Sequence, residues 1–420
     1  MKLKKISFKG VTLFLIFTLI MVLALSGCSG SSQGSNSKTI KLGLLEDRSG
    51  DFSLVGIQKY HAAELAVDQI NQQGGLLGKK VVLDAPDTQS NNSVYQQMAK
   101  KLILQDHVVA IMGAYSSASR EAIRPIMDQN KMLYFYNNQY EGGVADNDTF
   151  LTGAVPEQQI VPLMKYMIKK FGPRVYTIAA DYNFGQISAQ WVQQSVKQDG
   201  GKLVGQEFIP LDVSQFSSTI SRIKAAKPDV LVTLLIGQNQ SAFYEQWAKQ
   251  GDKSIPMASS VNLAQTYEQL RFAPPTMANM YVTTSFMQEL DTKYPGAKTF
   301  VDAFYKKFPH DKYVGQEAEA EYSGIMLWAK AVQKAKTTDR DAVIKALESG
   351  ISYNGPTGPV TIDPKTHHVI RNMFLVNTDS KQKIQIDAEY KAVKPDWLST
   401  AKGVDLPKKP QSHQYTPLGN

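Results

Sequence analysis

The chain has 420 residues, 46 basic side chains against 38 acidic ones, six histidines and a single cysteine. Four lysines fall in its first nine residues, so the rest carries 42 basic against 38 acidic groups, about +4, with no Lys/Arg run or aromatic-interleaved basic patch to suit nucleic acid. One cysteine excludes an intrachain disulfide and a thiolate metal cage, and some 390 residues beyond the leader exceed one hydrophobic core and predict two domains.

The first element is a leader. Lys2, Lys4, Lys5 and Lys9 precede an apolar run, Val11 to Leu25, interrupted by two threonines. That run is short for a membrane span, which needs roughly 20 residues, and it ends on Leu25-Ser26-Gly27-Cys28. Small residues before a cysteine match a bacterial lipobox: residues 1–27 read as a signal peptide cut before Cys28, whose thiol is lipidated. One acyl chain binds a membrane only marginally, and a diacylated or triacylated cysteine supplies the second anchor. The expected location is extracytoplasmic, lipid-anchored to the bacterial cell membrane. Residues 28–38, Gly/Ser/Asn-rich, read as a flexible tether.

From Thr39 the chain alternates short apolar runs with helical spacing. Ile40–Leu45 is a predicted strand, and Ala63, Ala66, Val67 and Ile70 lie on one helix face closed by Gly74-Gly75. Strands at 81–83, 108–112 and 132–136 alternate with helices at 94–104 and 120–127. After a break at 142–148 come a helix at 157–171, a strand at 175–180, a helix at 188–198 and a strand at 203–209. A helix around Phe216, Ile220 and Ile223, a strand at 230–235 and a helix at 241–249 follow. This alternation predicts parallel sheets covered on both faces, and the break predicts two doubly wound lobes. A helical stretch occupies 299–349, and 395–420 reads as a polar C-terminal tail, a surface strap or a disordered end.

In open parallel sheets ligands bind beyond the carboxyl ends of strands. Those ends carry Tyr115-Ser116-Ser117, Tyr136-Asn137-Asn138, Asp181-Tyr182-Asn183-Phe184, Gly237-Gln238-Asn239, and Ser259, Ser260 and Asn262. Any one cluster could be plain helix capping; five at equivalent topological positions point to a binding cleft. No Gly-x-Ser-x-Gly elbow, phosphate-cradling loop or His-Glu-x-x-His occurs. His367 and His368 are neighbours on a predicted strand and point to opposite faces, so they cannot share a metal. Glu46-Asp47 has no second acid of assignable position. No enzyme activity, cofactor or metal is expected.

The stretches GLLEDRSGDFSLVG and AAELAVDQINQQGGLLGKKV resemble the opening of type I periplasmic binding proteins of the Leu/Ile/Val-binding kind. GAYSSASREAIRPI, YFYNNQYEGG, FLTGAVPEQQIVP, AADYNFG and GPTGPVTIDPKTHH are similar to the urea- and short-chain-amide-binding branch of that superfamily. The resemblance spans about 38–376. It implies an α/β protein of two doubly wound parallel-sheet lobes joined by a three-strand hinge, with crossovers near Ala154, Thr284 and Ser352. The lobes would comprise 39–154 with 285–350, and 155–284 with 351–394. By the same resemblance Tyr115, Ser116, Ser117, Tyr136, Asn138, Tyr182 and Phe184 line the cleft, with Gly237 and Asn239 from the second lobe. Asn138 and Phe184 differ from the amide binders' residues, and Asn239 and Asn262 stand near positions that are acidic in urea-type proteins.

The implied role is the substrate-binding protein of an ABC transporter, working with permease and ATPase subunits and anchored to the membrane by its lipid. A urea or short-chain amide needs donors and acceptors without ion pairing, which Ser117, Tyr136, Asn138, Tyr182 and Asn239 offer. The alternative is a branched-chain or related amino acid, whose ammonium needs an anion; Asp181 and Glu141 are the candidates. A third reading, an amide-sensing regulator without a transport role, conflicts with the lipobox, and a hydrolase lacks a nucleophile–base pair.

Overall fold

The computed structural model describes residues 38–419, so the leader, Cys28 and the tether lie outside the described residues. Two sheets organise the rest. In the first lobe β1 (Thr39–Leu45), α1 (Ser53–Gln72), β2 (Lys80–Asp84), α2 (Asn92–Leu104), β3 (Ile111–Gly113), α3 (Ser117–Gln129) and β4 (Tyr134–Tyr136) follow in order. The stretch expected as a break instead contains β5 (Val144–Asp146) and β6 (Thr149–Leu151). Each is three residues long, too short for a periodicity to register. The sheet runs β2-β1-β3-β4-β6, parallel throughout. Its strands are apolar on both faces because helices cover both.

The second lobe begins with α4 (Ile160–Phe171), β7 (Arg174–Ala180), α5 (Asn183–Gln198), β8 (Lys202–Ile209), α6 (Ser217–Ala226), β9 (Val230–Leu234), α7 (Gly237–Gln250), β10 (Met257–Ser259), α8 (Glu268–Arg271) and β11 (Met280–Thr284). The chain then supplies helices only, α9 (Pro295–Lys307), α10 (Gln316–Ala335) and α11 (Arg340–Leu347). The first two return to α1, tied to it by the Lys307–Asp68 ion pair and by Tyr322 donating to Gln69. Finally β12 (Ser352–Gly355), β13 (Gly358–Ile362), β14 (Val369–Thr378) and β15 (Ile384–Val393) add antiparallel strands beside β11. His367 and His368 lie just before β14, and both are buried.

The chain passes between the sheets after β6, after β11 and before β12. Arg371 on β14 pins these passages, donating to the Thr152 carbonyl at 2.9 Å and pairing with Glu319 at the start of α10. Gln159 donates to the Thr283 carbonyl at 3.0 Å. The expected polar tail is structured: α12 (Trp397–Lys402) leads to β16 (Ser412–Gln414), which pairs antiparallel with β5. Leu398, Val404 and Leu406 pack with Ala145. Three apolar side chains spread over nine residues leave no pattern in a segment dominated by lysine and proline.

In both lobes the strand order reverses beside the first strand, between β1 and β3 and between β7 and β9. A ligand crevice belongs at these reversals, beyond the carboxyl ends of the strands.

Candidate functional site

At the first reversal the turn after β3 is built by close packing. A Cβ on Gly113 would fall 2.3 Å from Glu46 Oε1, so glycine alone fits there, at φ +99°. The Tyr95 hydroxyl straddles Tyr115, donating to its carbonyl at 3.0 Å and accepting from its amide at 3.1 Å. Beneath, the Lys59 ammonium donates to the Ala114 carbonyl at 3.1 Å and pairs with Glu46 at 2.9 Å and Glu321 at 3.5 Å, all three buried. Burial alone would discharge Lys59, but Glu46 and Glu321 push its pKa up. Burial also raises both carboxyls, which Lys59 opposes.

The helix α3 presents Ser117, whose hydroxyl donates to Glu141 Oε2 at 2.5 Å. Arg120, one turn on, reaches Glu141 Oε1 at 2.7 Å and lies over the Tyr136 and Tyr140 rings at 5.0 and 4.6 Å. Burial pushes the phenols of Tyr115, Tyr136 and Tyr182 up, Tyr136 to about 12, so each keeps its proton.

The second lobe meets this surface directly. Tyr182, at the carboxyl end of β7, brings its hydroxyl beside the Ser116 side chain. Trp191 on α5 donates from Nε1 to the Glu141 carbonyl at 3.0 Å. Gly237, at the start of α7, faces Phe52, whose ring lies 5.1 Å from that of Tyr115. The lobes are therefore closed on one another, leaving about 40 Å³ lined by Phe52, Val55, Tyr115, Gly237, Thr266 and Arg271.

The expected residues divide into groups. Tyr115, Ser116, Ser117, Tyr136 and Asn138 of the first lobe are buried around the turn, and Tyr182 and Phe184 oppose them, their rings 5.9 Å apart. Gly237 closes against Phe52. Asn239 is buried and donates to the Pro210 carbonyl at 3.3 Å. Two residues go elsewhere. Asp181 is exposed and accepts from Gln186 at 2.9 Å within its own helix region. Asn262 turns into the second lobe, donating to the Tyr244 hydroxyl at 2.7 Å with Met280 Sδ at 3.3 Å. Glu141, considered as an ammonium partner, is already neutralised by Arg120.

Sequence reasoning missed Phe52, Gln265 and Glu317. Glu317 opens α10 and accepts from the Gln139 amide at 2.9 Å and from Gln265 Nε2 at 2.6 Å, joining loops of both lobes. No motif marks them, because their partners lie far away in sequence. Burial pushes the Glu317 carboxyl up to about 7, with nearby Lys59 opposing. A raised carboxyl stabilises fully below its unfolded value near 4.5 and loses that contribution as pH rises through about 7. Chemical denaturation of the native chain and Glu317→Gln at pH 5 and pH 8 should therefore show the native chain losing ground to the variant by up to about 3 kcal/mol as pH rises. A difference independent of pH would show that Glu317 does not titrate in this window.

The periplasmic binding protein family profile matches residues 39–383. The chain belongs to the periplasmic binding protein family. Among relatives, the Leu/Ile/Val-binding protein homolog 7 of Brucella melitensis is 24% identical over 329 residues, 74% of this chain and 82% of the relative. Homolog 6 of Brucella abortus is 23% identical over 369 residues, 85% and 92% respectively. A solute-binding protein of an ABC transporter from Rhodopseudomonas palustris, in complex with 4-hydroxybenzoate, superposes with a TM-score of 0.78 at 22% identity, covering 86% of this chain and 100% of that one. LivJ from Streptococcus pneumoniae, in complex with isoleucine, gives 0.73 at 20% identity, covering 85% and 100%. This periplasmic binding protein thus has the type I fold, and in it the facing strand ends of two lobes form one buried, closed cleft.

Proposed function

We propose that this periplasmic binding protein is the lipid-anchored receptor of an ABC importer and captures a small uncharged solute rich in N–H groups, urea or a short-chain amide. The observation that carries the reading is the direction of the unpaired groups. Buried Asn138 Oδ1, Asn239 Oδ1 and Gln265 Oε1 have no donor. Two of the amides are oriented by backbone carbonyls, which can only accept: Gln139 takes the NH₂ of Asn138 and Pro210 that of Asn239, while Glu317, when ionised, takes that of Gln265. Ser117 gives its proton to Glu141, so its remaining capacity is as an acceptor. These groups favour a ligand that donates without carrying charge, because the carboxylates nearby are already paired.

A branched-chain amino acid is the second reading. Relatives named Leu/Ile/Val-binding and the isoleucine complex of LivJ favour it. It requires the cleft to open wider and an anion for the ammonium.

A thermal-shift and calorimetric screen of the mature protein against urea, acetamide, leucine, isoleucine and 4-hydroxybenzoate decides between them, since a ligand at 100 times its Kd adds about 2.7 kcal/mol. Stabilisation by an amino acid alone would overturn the amide assignment and leave uptake standing. With the solute so found, Ser117→Ala and Tyr182→Phe should each weaken binding by about 1–3 kcal/mol, because each strands a desolvated ligand group. Unchanged affinity in both would place the ligand elsewhere. For the anchor, Cys28→Ala should leave unprocessed precursor or a released soluble form. A cleaved Cys28→Ala product that still partitions into detergent would refute lipidation at that residue.

A further inference from the structure

The C-terminal strap lies beyond the family match, which ends at residue 383, and it joins the two lobes beside the cleft. It leaves the second lobe's sheet at Val393, the end of β15. Trp397 then meets Trp191 of α5 edge-on, ring centroids 5.0 Å apart. Further on, β16 pairs with β5 of the first lobe, Gln414 opposite Val144. Tyr415 donates to the Gly143 carbonyl at 2.8 Å, and the Leu418 amide returns to Gln190 of α5 at 3.4 Å.

The strap also grips the site. Gln414 Nε2 donates to Glu141 Oε1 at 2.6 Å and to the Gly142 carbonyl at 3.0 Å, while Arg120 donates to Gln414 Oε1 at 3.2 Å. The same Glu141 carboxylate holds Ser117, and its carbonyl accepts from Trp191. One residue thus joins the strap, the first lobe's binding helix and the second lobe. Opening the lobes must pull Trp191 away from Glu141 and strain a strap fastened on both sides.

We propose that this strap is a latch that biases the hinge toward the closed state, with Gln414 and Trp397 as positioning residues acting through Glu141 and Trp191. The inference rests on the two-lobe capture reading but not on which solute is captured.

The test measures lobe separation without ligand. Spin labels on cysteines introduced at Lys306 and Lys253, one exposed site per lobe, are read by pulsed dipolar spectroscopy in a mature chain carrying Cys28→Ser. Gln414→Leu should lower the closed-to-open ratio by roughly tenfold, the effect of losing one charge-assisted contact, and Trp397→Ala by roughly two- to tenfold, the worth of one aromatic pair, while Trp397→Phe, which keeps a ring against Trp191, should restore most of it. Circular dichroism confirms that the point variants fold, so the result does not hang on a truncation that exposes Ala145. Unchanged distance distributions in folded Gln414→Leu and Trp397→Ala would overturn the latch and leave solute uptake untouched.

Discussion

Lys59→Met should destabilise the first lobe by about 3–5 kcal/mol, the cost of stripping a buried charge cluster of one partner. The ammonium is the only cation paired with Glu46 and Glu321 among the described residues, and its side chain is fully buried. Methionine fills nearly the same space, so the loss measures charge rather than a cavity. It also deletes the bond to the Ala114 carbonyl, loosening the turn that carries Tyr115 to Ser117. Glu46→Gln combined with Lys59→Met should recover a good part, because a neutral amide no longer needs the cation. Guanidinium chloride denaturation of the native chain and the two variants provides the comparison. A cost below about 1 kcal/mol for Lys59→Met would mean that water reaches the cluster.

Gly237→Val should cost on the order of a hundredfold in ligand affinity, close to 3 kcal/mol, with a smaller loss of stability in the free protein. A Cβ here would already sit 3.3 Å from Phe52 Cε1 across the closed cleft, and valine's methyls reach further. In an open molecule Phe52 withdraws with its lobe, so the clash falls on the closed state alone. The residue also sits at φ +63°, where an L side chain costs roughly 1–2 kcal/mol in either state, which the unliganded melting temperature registers separately. Gly237→Ala should fall between, since the Phe52 ring can yield by a few tenths of an ångström. Calorimetry with the screened solute measures both variants. Native affinity in Gly237→Val would show that the two lobes do not close on each other through this contact.

By itself the amino-acid sequence determined most of the longer elements and named candidate cleft residues. Apolar runs of four to seven residues alternating with 3.6-residue periods specify strands and helices locally. A sheet built from such alternation leaves its polar residues at strand ends, so Tyr115, Ser117, Tyr136 and Tyr182 were legible as cleft candidates. Local pattern does not contain the partner of a side chain. Asp181 and Tyr182 are neighbours in sequence, yet one bonds back to Gln186 in solvent and the other reaches across to Ser116. Asn262 resembles the other strand-end amides until Tyr244, eighteen positions away, claims its NH₂ group. Arg120 and Glu141 become a neutral pair only because α3 and the loop after β4 meet, and Gln414 joins them from the far end of the chain. Only the tertiary structure decided these things, because charge compensation and the direction of a lone pair depend on which distant groups burial brings within 3 Å, and no periodicity in the chain encodes that meeting.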